Sequence, residues 1–236
     1  MNVQVKVWGD YACFTRPEHK AERVSYDVMT PSAARGVLEG ILWKPEMRYR
    51  ITAIAVLKPI RHASILRNEV NTTQSARTAQ GWLTDGRGGF DASADRAQRH
   101  ALVLRDVAYV ISAEIALTAL AGDANPPVKY AEMFNRRVAK GQAYRMPYLG
   151  TREFSASFEA PSSIDNPIPE SYALGRMLLD LRFQEDASRR LKFIAHDGDG
   201  ASRIASGSAT PVFFEARLEQ GVMRVPPEAY ARLEAR

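Results

Sequence analysis

Cysteine is almost absent from this sequence: Cys13 is the single thiol among 236 residues. One thiol excludes an internal disulfide and any cysteine-based zinc cluster, and Cys13 reads as a small buried side chain rather than a reactive one. Long apolar runs are missing as well. None approaches the ~18 to 20 residues that a membrane-spanning helix requires. Met1 leads directly into the alternating Val3, Val5 and Val7 rather than into a leader peptide. A cytoplasmic location with no membrane partner is the expectation. Histidine is scarce, and none of the four, His19, His62, His100 and His196, has a sequence neighbour that marks it for chemistry. The zinc-protease, phosphate-loop and serine-hydrolase signatures do not occur. Asp197-Gly198-Asp199-Gly200 lacks the further acidic positions of a calcium loop and reads as a turn. No metal and no cofactor is expected.

What is present is an ordinary globular composition, 45% hydrophobic and 25% charged, enough for one large domain or two small ones. The net charge of +5 is concentrated: between Pro127 and Arg152 lie Lys129, Arg136, Arg137, Lys140, Arg145 and Arg152 against Glu132 alone, and the remainder is neutral overall. A focused patch of this kind suits a polyanion, although a solvated face would leave the same pattern.

Period-two alternation predicts a strand over Asn2–Trp8. Thr30-Pro31 opens a helix with Ala34, Val37, Leu38, Ile41 and Leu42 on its inner side, and Pro45 ends it. Strands follow at Arg48–Leu57 and Val107–Leu117. Asn125-Pro126 starts a second helix, with Tyr130, Met133, Phe134, Arg137 and Val138 inward and Gly141 at its end. A further strand is expected over Arg152–Phe158. The order β-α-β-β-α-β is that of an α+β, ferredoxin-like domain, an order shared by RNA-recognition folds and by many unrelated proteins. That domain is expected over residues 1–160. Residues 61–99, poor in periodicity and holding Asp85-Gly86-Arg87-Gly88-Gly89, read as a mobile insertion. After the Pro-rich and Ser-rich stretch from Pro161, residues 161–236 read as a small antiparallel β-sheet region. Met177, Leu179, Leu181 and Phe183 alternate there, and a hairpin turns at Gln220-Gly221.

Three stretches, Trp8-Gly9-Asp10-Tyr11-Ala12-Cys13-Phe14, Trp43-Lys44-Pro45 and Phe134 through Phe154 (FNRRVAKGQAYRMPYLGTREF), stand in order on this framework. Together they resemble the Cas-five family of type I-C CRISPR systems, and the resemblance spans essentially the whole chain. It implies a pre-crRNA processing endoribonuclease that cuts repeat hairpin RNA without metal. Such a protein then holds the 5′ handle of the mature crRNA as a subunit of the interference complex (Cascade). The implied partners are repeat RNA, the crRNA handle and the other type I-C Cascade subunits, with non-specific duplex DNA as a further one. The family site resembles a Lys-His pair on the second helix with a Tyr before Trp-Lys-Pro. Here those positions are Lys129-Tyr130 and Leu42, so only the lysine is retained.

Cleavage by the substrate's own 2′-hydroxyl requires removal of its proton, stabilisation of the phosphorane charge and protonation of the leaving 5′-oxygen. Lys129 and Tyr130 are the catalytic candidates. Lys129 suits charge stabilisation. Tyr130 is a poor base at its ordinary pKa of ~10, and has three further readings: an acid, a group that orients the phosphate, or a buried ring. Arg136, Arg137, Lys140, Arg152 and Lys44 are the RNA-binding candidates, with Arg137 alternatively turned inward. Tyr144 and Tyr148 either stack bases or pack beneath the Gly141–Gly150 loop. A binding-only subunit, its catalysis removed by Leu42 and Tyr130, is the competing function.

Overall fold

The computed structural model describes residues 1–19, 21–122, 126–188, 190–197 and 200–234. It is a mixed α/β protein whose four helices, among the described residues, accompany one large antiparallel sheet. In chain order the elements are β1 (Asn2–Ala12), α1 (Pro31–Ile41), β2 (Met47–Val56), β3 (His62–Val70), α2 (Ala76–Asp85), β4 (Arg96–Leu117) and α3 (Pro127–Ala139). They continue with β5 (Ser157–Glu159), β6 (Tyr172–Glu185), β7 (Leu191–His196), β8 (Ser202–Glu219), β9 (Val222–Arg224) and α4 (Pro227–Glu234). The strands run in the order β5-β1-β4-β2-β9-β8-β6, with β3 added to β4 and β7 added to β8.

Alternation explains the inner strands. Val3, Val5 and Val7 of β1 are buried while Gln4 is exposed, because successive side chains point to opposite faces. The buried face takes the apolar stripes of two helices. α1 lies against β2 and β6, α3 against β1 and β4, and the helices touch each other. Thr30 accepts the Ala33 amide at 3.2 Å and Pro31 fills the first turn, which together start α1. Leu42 leaves helical geometry as its cap. One core cluster runs from Val3 to Tyr230 and joins Met177, Leu179 and Leu218 to the N-terminal strands. The join in the sheet is β9, which pairs with β2 on one side and β8 on the other. The β8–β9 turn falls on Gln220 and Gly221, both at positive φ.

Three expectations differ from the structure. Residues 61–99 hold a strand, a helix and the start of another strand. β3 pairs with the first half of β4 over Val70↔Arg96 to His62↔Leu104, and α2 is capped by Ser75 at the outer end. The arm thus formed exposes most of its surface, and α2 buries no residue. A helix without a buried face leaves no hydrophobic period to read. β4 is therefore much longer than the Val107–Leu117 segment that alternation revealed. The strand expected over Arg152–Phe158 shortens to Ser157–Glu159, because the Ala156 amide donates to Pro147, the Leu149 amide to Phe154, and the Phe154 amide to Thr151. Asn125, Gly198 and Asp199 lie outside the described residues.

Where core and arm meet, β4 carries Asp106 at φ 52, in the left-handed region that aspartate tolerates better than most residues. Its carboxylate is paired with Lys58, which, by that hydrogen bond, holds it below the usual carboxylate range.

Candidate nucleic-acid interface

The C-terminal turn of α1 is the point on which the basic segment converges. The Arg137 guanidinium, from the last turn of α3, donates to the Ile41 carbonyl at 2.5 Å. The Arg145 amide donates to Gly40 at 2.9 Å and the Tyr144 amide to Ile41 at 3.4 Å. These contacts satisfy carbonyls that a helix end leaves open and lay the Gly141–Gly150 loop along α1. A Cβ on Gly40 would meet the Arg145 carbonyl at 3.2 Å, tight enough that the loop would have to shift by a few tenths of an ångström. At the other end of the loop Gly150 has φ +88 and sits against the Cys13 backbone, while the Cys13 amide donates to Leu149 at 3.0 Å. Only glycine combines that conformation with that approach.

Between this loop, the end of β1 and the outer face of α1 runs a groove of about 740 Å³, lined among others by Ser32, Arg35, Glu39, Arg145, Tyr148 and Arg152. Its floor is fixed. Arg35 donates to Asp180 at 2.5 and 2.9 Å and to Glu39 at 2.7 Å, and Ser32 donates to Asp180 at 3.0 Å. Burial works against the Arg35 charge, but Asp180 and Glu39 more than offset it and raise its pKa.

Arg145 and Arg152 line the groove and are exposed, as are Arg136, Lys140 and Lys44 outside its lining, and among the described residues none of the five forms an ion pair. Some surface cations elsewhere are matched, Arg48 and Arg50 by Glu234 and Arg23, Arg67 and Arg99 by Glu69. The basic segment is set apart by density of charge, with Glu132 its only acidic residue, and so carries a concentrated positive potential. Tyr144 and Tyr148 are 77% and 41% exposed. Both present rings beside the unpaired cations, the combination that holds unpaired nucleic acid by stacking and charge.

The catalytic candidates are placed unequally. Lys129 is exposed in the first turn of α3 with its Nζ 5.9 Å from the Tyr130 ring. Tyr130 is 2% exposed and packs in the core with Phe134 and Val138. Burial and then the nearby Glu46 carboxylate push its hydroxyl pKa up, so it holds its proton. Leu42 is also buried, and its carbonyl accepts from the Tyr49 hydroxyl at 3.0 Å. Arg137 is spent on α1, as its inward alternative had it.

Sequence reasoning missed two neighbours. Arg145 stood in the basic count but not among the groove residues, because its place depends on the loop closing. No sequence neighbour marks His196, yet its ring lies 5.1 Å from that of Trp43, which is 42% exposed. The two are 153 positions apart, and no local pattern signals such a contact. Of the other histidines, His62 meets Asp27 at 3.2 Å and His100 meets Ser64 at 3.5 Å. Among the described residues no three His, Cys, Asp or Glu side chains gather to hold a metal ion.

A helix-backed antiparallel sheet, with a groove between α1 and the Gly141–Gly150 loop and with exposed cations and aromatic rings on and beside that loop, defines a mixed α/β protein. Residues 3–226 match the family described as CRISPR-associated protein (Cas_Cas5), and the chain belongs to that family. It is 46% identical over 234 residues to the CRISPR pre-crRNA endoribonuclease Cas5d of Thermus thermophilus, covering 98% of this chain and 94% of the relative. It is 44% identical over 229 residues to the protein of the same name from Mannheimia succiniciproducens, covering 95% of each. A solved structure described as a CRISPR-associated protein has the same fold, with a TM-score of 0.60 at 20% identity over 97% of this chain and 93% of the other.

Proposed function

We propose that this protein is a pre-crRNA endoribonuclease that cuts the repeat hairpin through the substrate's 2′-hydroxyl, without a metal ion, and then retains the 5′ handle as a subunit of the type I-C Cascade. The observation that carries the reading is the row of unmatched cations, Arg136, Lys140, Arg145 and Arg152, beside exposed Tyr144 and Tyr148. Its relatives named as pre-crRNA endoribonucleases support the chemistry.

In this reading the handle lies along the α1–loop groove, and Lys44 extends the same surface. Lys129 faces the scissile phosphate and stabilises the charge that develops on its non-bridging oxygens. Tyr130 supports the first turn of α3 from below and keeps its proton. The strand order β5-β1-β4-β2, with α1 and α3 as crossovers, supports a ferredoxin-like domain over residues 1–160, interrupted by the arm at about 61–99 and followed by the β-rich region 161–236. The protein works in the cytoplasm, with the transcript it cuts; no helix among the described residues is long and apolar enough to cross a membrane.

The burial of Leu42 and Tyr130 favours a second reading, a binding-only subunit of the same complex. One assay separates the two. Stoichiometric protein is incubated in EDTA with radiolabelled repeat RNA and, in parallel, with the same RNA carrying one 2′-deoxy residue at the cut site. The nuclease reading expects cleavage of the first alone, leaving a 2′,3′-cyclic phosphate and a 5′-hydroxyl. Cleavage of the deoxy RNA, or full dependence on magnesium, overturns the mechanism, and intact RNA in both lanes selects the binding-only subunit. Competition by random duplex DNA in the binding step measures non-specific DNA affinity.

A further inference from the structure

The proposed reaction needs a group that accepts the 2′-hydroxyl proton near neutrality, and Tyr130, buried with its pKa raised, is unsuited to that task. We propose that His196, brought from the tip of the β7–β8 hairpin onto Trp43, is the general base of RNA cleavage. This rests on the endoribonuclease reading above.

The placement follows from contacts of one short stretch, residues 41–46, between α1 and β2. Ile41 receives Arg137 of the basic helix, and Trp43, next to the exposed Lys44, meets His196 with ring centroids 5.1 Å apart and planes inclined by 42°. The last residue of β7 and the C-terminal end of the basic helix therefore meet the same stretch of chain. The His196 ring is partly shielded, and its nitrogens make no hydrogen bond among the described residues, unlike His62 with Asp27 or His100 with Ser64. Imidazole is the side chain that ordinarily exchanges protons near neutral pH. Tilted against an exposed indole, the ring lies beside whatever stacks on Trp43.

The step balances with water as the only co-reactant. The unprotonated ring nitrogen of His196 takes the 2′-hydroxyl proton while the 2′-oxygen bonds to phosphorus. The bond from phosphorus to the 5′-oxygen breaks, and Lys129 stabilises the phosphorane charge. The 5′-oxygen takes a proton from water and the imidazolium returns its own to water.

The test is single-turnover cleavage of repeat RNA by the full-length chain and by His196→Ala, with RNA affinity and melting temperature measured on both. The expected result is a loss of about 10²- to 10⁴-fold in the cleavage rate, with affinity and melting temperature retained and much of the rate restored by imidazole added to the buffer. Trp43→Ala, which frees the ring, is expected to lower the rate as well, without rescue by imidazole when His196 is present. If His196→Ala cleaves at the wild-type rate, the assignment falls while the endoribonuclease reading stands. If it is slow, melts early and is not rescued by imidazole, His196 is structural and the assignment also falls. If the wild-type chain itself leaves repeat RNA intact, both readings fall together.

Discussion

Tyr130 and Lys129 are adjacent in sequence and opposite in circumstance, and the difference sets their expected effects. Tyr130→Phe removes a hydroxyl that is buried and keeps its proton, so cleavage is expected to change little. Lys129→Ala removes the charge proposed to stabilise the phosphorane and is expected to cost about 10²-fold or more in single-turnover rate. Equal losses from the two would contradict the division of roles. The stability counterpart is the pair beneath the groove. Among the described residues Asp180 is the only carboxylate that Arg35 meets at two nitrogens, and its side chain is 8% exposed. Asp180→Ala leaves a largely buried guanidinium with Glu39 alone, at a cost of about 3 kcal/mol, readable as a lower midpoint in urea denaturation. None of this was legible at the level of single residues: Lys129 and Tyr130 stood out by family position, while Asp180 lies 145 residues from Arg35 and carries no local signature.

At the scale of elements, legibility tracked burial. β1, α1, β2 and α3 were readable because each buries one face and so writes its period into the sequence, as Val3, Val5 and Val7 do. The arm was not, because α2 buries nothing and β3 alternates only between half-buried and exposed positions. The same fact predicts that the arm tip contributes little to stability. Replacing residues 72–94 by a short Asn-Gly turn, which the Asn71 amide bonded to the Asp95 carbonyl and the Val70↔Arg96 pair leave room for, should leave the melting temperature unchanged. A large drop would show that the arm tip supports the core. The opposite is expected of the Gly141–Gly150 loop. Gly150→Ala forces a left-handed backbone on a residue with a Cβ and drives that atom into the Cys13 main chain. Thermal melts should show destabilisation, and RNA binding should weaken because the groove wall no longer seats on β1.

For the molecule as a whole, the exposed cations predict how affinity answers to salt. In the proposed binding mode Lys129, Arg136, Lys140, Arg145, Arg152 and Lys44 make about six phosphate contacts, for which the slope of log affinity against log salt on single-stranded RNA is about −4. A titration giving a slope near zero would remove the groove as the RNA surface. Arg136→Ala with Lys140→Ala should lower affinity across RNA sequences without unfolding, since Arg136 on α3 and Lys140 at its C-terminal cap are both exposed. The continuity of the sheet adds a mechanical consequence. β4 is both an inner strand, held between β1 and β2, and the shaft of the arm. At roughly 3.3 Å per residue its 22 residues give a rod of about 70 Å. A load applied near the tip of that rod is a torque about Asp106, and it is delivered to the middle of the sheet with no loop in between to absorb it.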